Sequence, residues 1–185
     1  MSRRKEFVVG VTGASGAPYA HRLLEVLAEE ADVHLVVTRQ ARAIAAIEGV
    51  RYEGFSVTGH DNADLAASIA SGSHHADGMA IVPCSTKTLA SVAHGLSSSL
   101  IGRAADVTLK ERRPLVLLVR EMPLSRVHLR NMLAADEAGA TVMVASPGFY
   151  GRPATIADLV DMVVGRVLDH LGMDLGVGPR WEGAP

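Results

Sequence analysis

Phe7-Val8-Val9-Gly10-Val11-Thr12-Gly13-Ala14-Ser15-Gly16 runs from a nearly unbroken apolar stretch straight into a glycine-rich turn. A run this short, without polar alternation, reads as a strand buried on both faces. The glycines after it permit a tight turn and close approach of a phosphate or a ring to the backbone. A helix leaving such a turn offers free N–H groups and a positive dipole end to an anion. The spacing Gly10-x-x-Gly13-x-x-Gly16 also occurs in nicotinamide-dependent reductases, and it is no Walker loop, because no Gly-Lys-Ser/Thr follows. Two readings stand at this point: a site for a nucleotide-like ligand, or a purely structural strand-to-helix turn.

Similar runs recur at residues 33–37, 79–82, 115–119 and 141–144. Between them lie helical patterns. Residues 19–31 place Leu23, Leu24 and Leu27 on one stripe, and residues 99–112 do the same with Leu100, Ala104, Val107 and Leu109. Residues 125–138 form a third pattern. In residues 156–171, Ile156, Leu159, Val160, Val163, Val164 and Val167 recur at helical spacing. Strand and helix alternate, so the expected fold is α/β: a three-layer Rossmann-like (flavodoxin-like) parallel sheet with helices on both faces. Residues 1–185 form one domain in this reading. Residues 50–75 are poorly patterned, and the tail from about residue 172 is expected to pack at a subunit interface.

With 48% hydrophobic and 21% charged residues, the chain has ample material for a core. A net charge of −2 leaves no footprint for nucleic acid or a membrane surface. Cys84 is the only cysteine, which rules out an intrachain disulfide and fits a reducing compartment. The run at 7–11 is too short for a secretory h-region, and no segment approaches the roughly 20 apolar residues of a membrane span. A cytoplasmic location is expected. The histidines (His21, His34, His60, His74, His75, His94, His128 and His170) show no metal-pair spacing on one helical face, so no metal is expected. Ala14-Ser15-Gly16 does not match the nucleophile elbow of a Ser-His-Asp hydrolase.

In a parallel sheet of this kind ligands bind beyond the carboxyl ends of the strands. After the second run come Thr38-Arg39-Gln40, without the acidic residue that a nicotinamide ribose favours. Thr38 either donates to a phosphate or caps a helix. After the run at 79–82, Ser85, Thr86 and Thr88 bring hydroxyls to a helix start, and Cys84 is either an activated thiol or a small buried one. Arg120 and Glu121 follow residues 115–119. That pair is costly to bury unless it meets a ligand or itself, and it suits phosphate or flavin carbonyl binding and proton handling. Tyr150 is a rare aromatic in the loop after 141–144, and Arg166 lies within the last helical pattern.

Six of these stretches, in order, resemble the UbiX-type flavin prenyltransferase family over nearly the whole chain. They are Thr12-Gly13-Ala14-Ser15-Gly16, Pro83-Cys84-Ser85-Thr86-Lys87-Thr88, the stretch from Arg103 to Leu115, Arg120-Glu121-Met122-Pro123, Pro147-Gly148-Phe149-Tyr150, and Arg180-Trp181. The resemblance implies metal-independent transfer of a dimethylallyl group from dimethylallyl monophosphate to reduced FMN. The new bonds form at N5 and C6 and close a fourth ring, and a UbiD-type decarboxylase uses the product. It further implies that Gly13, Ala14, Ser15, Thr38, Ser85, Thr86, Lys87, Thr88 and Arg120 contact FMN. Tyr150 and Arg166 would hold the donor phosphate with Arg103 and Lys110 nearby, and Trp181 would shape the prenyl pocket. Ser15, Glu48 and Glu121 would be catalytic, with both carboxylates handling protons. The site would be completed across subunits of a homo-oligomer, a dodecamer in the family. Thr38 stands where serine is usual, and Gly102 replaces a larger polar residue. The alternatives are a flavin-dependent cysteine decarboxylase-like enzyme, whose Pro-Ala-Ser-Ala-Asn-Thr stretch is replaced here by Pro83 to Thr88, and a non-catalytic FMN carrier.

Overall fold

Along strand β1 (Glu6–Val11) successive side chains point to opposite faces of the sheet, and both faces are covered. Phe7, Val9 and Val11 join one hydrophobic cluster, while Val8 belongs to another on the opposite side. This two-sided burial explains why the strands read as continuous rather than alternating apolar runs. In the computed structural model residues 3–181 and Gly183 are described; Met1, Ser2, Glu182, Ala184 and Pro185, at or near the ends of the expected 1–185 domain, lie outside the described residues.

Five further strands join β1: β2 (Asp32–Val37), β3 (Thr58–His60), β4 (Gly78–Cys84), β5 (Leu115–Val119) and β6 (Thr141–Val144). The sheet runs β3-β2-β1-β4-β5-β6 with every neighbouring pair parallel. The chain winds outward to β3, returns to the middle at β4 and winds out the other way. The reversal lies between β1 and β4, where a doubly wound sheet opens a crevice for ligands.

Helices α1 (Ala17–Glu30), α2 (Arg39–Ile47) and α6 (Ile156–His170) contribute to the first cluster. Helices α3 (Thr86–Ala93), α4 (Leu100–Lys110) and α5 (Arg126–Glu137) contribute to the second. Leu23, Leu24 and Leu27 of α1 are fully buried, each contributing roughly 2 kcal/mol of transfer free energy. Thr38, Ser85, Ser99, Ser125 and Thr155 cap α2 to α6, each side chain accepting a hydrogen bond from the N–H three residues on. Such a cap stabilises a helix by about 1 kcal/mol.

The expected strands and four expected helices are present within a few residues. Strand β3 goes beyond the sequence expectation, and so do the bodies of α2 and α3, of which the sequence marks only the starts, a candidate cap at Thr38 and a helix start at Ser85 to Thr88. Strand β3 has only three residues, and α2 and α3 are short, with two buried apolar positions each, too few to show a period. The segment 50–75 also contains a 3-10 turn, Ser68–Ala70, which sends Ile69 and Ala70 into the second cluster. The tail folds back on its own chain: Met173 is buried, and Leu175 and Val177 pack against the first cluster. Gly165 of α6 makes room for this, because a Cβ there would overlap the Val177 carbonyl. Among the described residues no helix is long and apolar enough to cross a membrane.

Candidate functional site

Beyond the carboxyl ends of β1, β2 and β4 lies a groove of about 390 Å³. Thr12 fixes its floor. Its hydroxyl donates to the Pro83 carbonyl at 2.9 Å and accepts from the Ser85 N–H at 2.7 Å, so the loops after β1 and β4 are stitched together. Thr38 and Gln40 open α2 onto the groove, residues 85–88 open α3, and Ser99 opens α4. Three helix N-termini therefore converge on one cavity. The first N–H groups of each helix have no intrahelical acceptor and carry the positive end of its dipole. Among the described lining residues Lys87 is the only charged side chain, and it is basic. The arrangement suits a phosphate carried by an otherwise neutral, hydrogen-bonding molecule.

The loop between β1 and α1 is shaped by glycines for two reasons. Gly16 has φ 116°, in the left-handed region, and caps α1. A Cβ on Gly13 would stand 2.7 Å from Cβ of Gln40, so the loop after β1 and the start of α2 meet only if residue 13 has no side chain. The anion site expected at the start of α1 is taken from within the chain. Both oxygens of Glu48 accept from Gly16 N at 3.1 Å, and one also accepts from Ala17 N at 2.7 Å. The N-termini that open onto the groove are thus those of α2, α3 and α4, and Glu48 caps α1 beside Ser15. Arg120, just past β5, donates from Nε to the Ser15 carbonyl at 3.2 Å. Ser15, Glu48 and Arg120 are brought together around this loop, with Glu121 next to Arg120. Glu121 is half-buried, and one of its oxygens accepts from the Met122 N–H at 3.1 Å.

Cys84 is fully buried, and its thiol is pushed up to about 12 by that burial, against a smaller lowering from a backbone hydrogen bond. Of the two readings for this residue, the inert core thiol holds. Burial likewise pushes the Tyr52 hydroxyl up to about 12, aided by the nearby Glu48 carboxylate and opposed by Arg42.

A second cluster gathers beside α6. Tyr150, Arg166 and Trp181 line a cavity of about 390 Å³ together with Arg180 and Asp169. The rings of Tyr150 and Trp181 meet edge to face, 5.5 Å between centroids. Arg166 and Arg180 both donate to Asp169, at 2.7 and 3.0 Å, and Arg180 also reaches Asp174 at 2.6 Å. Arg103 and Lys110 do not join them. Both lie on α4, on the opposite layer of the fold from α6. Arg103 donates to the Ala70 carbonyl at 3.0 Å and to Asp106 at 2.7 Å, and Lys110 pairs with Glu111 at 2.6 Å. The expectation that they stand near Tyr150 and Arg166 is therefore corrected for the single chain.

Several groove residues escape the sequence. Gln40 follows the noted Thr38 and Arg39. Asn62 comes from the poorly patterned segment, and it pins the start of α4 by accepting from Leu100 N at 2.8 Å and Ile101 N at 3.1 Å. No local signal marks Asn62, since its partner Ile101 is 39 residues away in sequence.

The Flavoprotein family model matches residues 1–168. A Deinococcus radiodurans protein named Flavin prenyltransferase UbiX is 51% identical over 180 residues, covering 95% of this chain and 92% of its own length. The chain belongs to the UbiX-type flavin prenyltransferases. Among solved structures of flavin prenyltransferases and their relatives, AnUbiX in complex with FMN and dimethylallyl pyrophosphate superposes with a TM-score of 0.94 at 44% identity, covering 99% of this chain and 100% of that one. A dodecameric FMN-dependent UbiX-like decarboxylase from Escherichia coli O157:H7 superposes at 0.91, again with 44% identity, covering 96% and 100%. Gly102 has a local packing reason here. A Cβ would lie 2.8 Å from the Leu96 carbonyl, so the turn before α4 packs directly on the helix.

Proposed function

We propose that the chain transfers a dimethylallyl group from dimethylallyl monophosphate to N5 and C6 of reduced FMN, without a metal. The observation that carries this reading is the convergence of three capped helix N-termini on a groove whose described lining has no acidic side chain. FMN fits that groove chemically: its phosphate needs N–H and hydroxyl donors, and its ring needs close backbone approach. Bound and reduced, FMN supplies the nucleophilic ring atoms. Thr38, Ser85, Thr86, Lys87 and Thr88 hold the phosphate and ribityl chain, and Gly13, Ala14 and Ser15 lie against the ring. Arg120, tethered to the Ser15 carbonyl, directs its guanidinium to a ring carbonyl. Glu121 would deliver a proton to the alkene of the N5-linked prenyl group and take up the one lost from C6 as the second bond closes, so that ring closure is proton-neutral. Glu48 holds the 13–16 loop and serves Ser15 from there.

Tyr150 and Arg166 bind the donor phosphate, and Trp181 walls off the prenyl group from water. Guanidinium and phenol donors stabilise the charge growing on the departing phosphate, and exclusion of water protects the allylic cation. Because Tyr150 and Arg166 line a cavity separate from the groove, we assign the two halves of one site to neighbouring copies of a homo-oligomer, with the dodecamer as the expected assembly. Arg103 and Lys110 serve the donor phosphate only from another copy. The product goes to a UbiD-type decarboxylase in the cytoplasm.

The test is anaerobic. Protein, FMN, dithionite and dimethylallyl monophosphate are combined in the presence of a metal chelator, and the extracted flavin is weighed by mass spectrometry. A flavin heavier by one C5 prenyl unit supports the reading. Bound but unmodified flavin overturns the transferase assignment in favour of a carrier.

A further inference from the structure

On the opposite edge of the sheet, at the amino ends of the strands, Glu6, His34 and His74 converge. They come from β1, β2 and the loop before β4. One Glu6 oxygen, Oε1, lies 2.7 Å from His34 Nε2 and 2.7 Å from His74 Nε2. The three ligand atoms all lie within 4.8 Å of one another. Glu6 opens β1 and the groove begins beyond Val11, about 16 Å further along the strand. The cluster is therefore separate from the flavin site.

Three observations distinguish it from an ordinary surface ion pair. The side chains are mostly enclosed, at 19%, 14% and 24% exposure for Glu6, His34 and His74. His74 Nε2 is buried and makes no hydrogen bond of proper geometry, although it lies so close to Glu6. An orphaned buried nitrogen is costly, and an ion accepting its lone pair removes that cost. Finally, His34 has a partner for its other nitrogen: Nδ1 lies 2.8 Å from His60 Nε2, with the two rings stacked. A proton on His34 Nδ1, donated to His60, leaves the Nε2 lone pair facing Glu6 and His74. Metal-bound imidazoles are commonly held in this way by an outer partner. Arg3 sits on the far oxygen of Glu6, Nη1 to Oε2 at 3.5 Å, and leaves Oε1 to the cluster.

We propose that Glu6, His34 and His74 form a site for a divalent ion of the zinc class, with His60 as the positioning residue behind His34. Two imidazoles and one carboxylate are a borderline-soft donor set with a fourth position for water. Zinc distances of about 2.0–2.2 Å put tetrahedral donors roughly 3.3 Å apart, so the two 2.7 Å contacts open by about half an ångström, within reach of side-chain rotation. The ion ties β1 and β2 to the segment that carries His74. That segment begins near Asn62, which pins the start of α4 beside the groove. The ion's role is structural, and prenyl transfer does not pass through it. Spacing along a helix does not reveal these ligands, because they come from two strands and a loop. The expectation of no metal rests on helical pairs, and this set has none.

The test uses the tag-free full-length protein, stripped with chelator and titrated with zinc chloride alone. One zinc per chain is expected, with a rise in melting temperature that chelator reverses. His74→Ala and Glu6→Gln should each weaken zinc binding at least tenfold, and His60→Gln by less, while His170→Ala, on an exposed face of α6, should bind as the wild type does. FMN binding should persist in all of them. Cobalt(II) in the wild-type protein gives a check that needs no variant: strong visible absorption of a four-coordinate ion is expected. The weak spectrum of octahedral cobalt, absence of retained zinc, or undiminished zinc binding in His74→Ala would overturn the site.

Discussion

In the groove the polar atoms are mostly backbone amides and short hydroxyls, with Lys87 the one charged side chain among the described lining residues, and they are fixed by helix caps and by the double hydrogen bond of Thr12. Beside α6 they are long arginines, Arg166 and Arg180, whose positions depend on Asp169 and Asp174. The groove is organised by its own chain before any ligand arrives. The α6 cluster is open: Tyr150 is 49% and Trp181 65% exposed, and its ion pairs reach into solvent. Exposed pairs of this kind contribute little to stability, typically below about 1 kcal/mol. Charges held so loosely are available to a ligand or to a neighbouring subunit. The contrast teaches that a preorganised flavin site and an adaptable phosphate site are built by different means, and that they should fail differently under mutation.

Glu121→Gln should separate binding from chemistry most sharply. Loss of a proton acceptor is expected to lower turnover by roughly a hundredfold or more, with FMN affinity, measured by fluorescence titration, nearly unchanged. Wild-type turnover in this variant would remove Glu121 from the proton path. Gly13→Ala should damage the preorganised half alone. The added Cβ must displace Gln40, at a cost of about 1–3 kcal/mol, which, where it falls on the flavin-bound loop, corresponds to roughly a five- to 150-fold loss of FMN affinity. If that variant weakened the donor instead, the division of labour would be reversed.

On the adaptable side, Arg166→Ala should raise the donor KM by about tenfold, in line with a hydrogen bond to a charged group, and Tyr150→Phe by less. Both should leave the flavin dissociation constant in place, and equal loss of both ligands would undo the separation. The smallest effect concerns Cys84. With its thiol pushed up to about 12 by burial, it stays protonated across the neutral range and should resist iodoacetamide at about pH 8 in the native protein. Peptide mass mapping should find it alkylated only after denaturation. Rapid native labelling would mean that the α3 N-terminus activates it.

Much of the fold is legible in the sequence because buried parallel strands announce themselves: residues 7–11 and 115–119 are apolar throughout, and both faces of each are covered. The α1 and α6 stripes are equally plain, since each buries a wide face. Helices α2 and α3 are not, because they bury only two apolar side chains each and owe their starts to Thr38 and Ser85. Those same caps stand out as strand-end hydroxyls, so the groove is found through the residues that begin the two hidden helices. Glu48 shows the opposite case. Its carboxylate occupies the α1 N-terminus by reaching back 32 residues, and no local pattern foretells such a contact. Asn62, Arg103 and Lys110 teach the same lesson: sequence order gives the strand ends, but which layer a helical side chain faces is settled by the crossovers.

The most direct measurement mixes two impaired variants, Gly13→Val, which cannot seat the flavin, and Arg166→Ala, which holds the donor weakly, at a donor concentration well below the KM of Arg166→Ala. Each is purified, then the two are co-assembled and supplied with reduced FMN and dimethylallyl monophosphate. If the groove of one copy works with the α6 cluster of its neighbour, the mixture yields prenylated flavin by mass, at a rate neither parent reaches. If only unmodified flavin is extracted from mixed oligomers of wild-type size, both halves act within one chain, and the assembly of the site from two subunits is wrong.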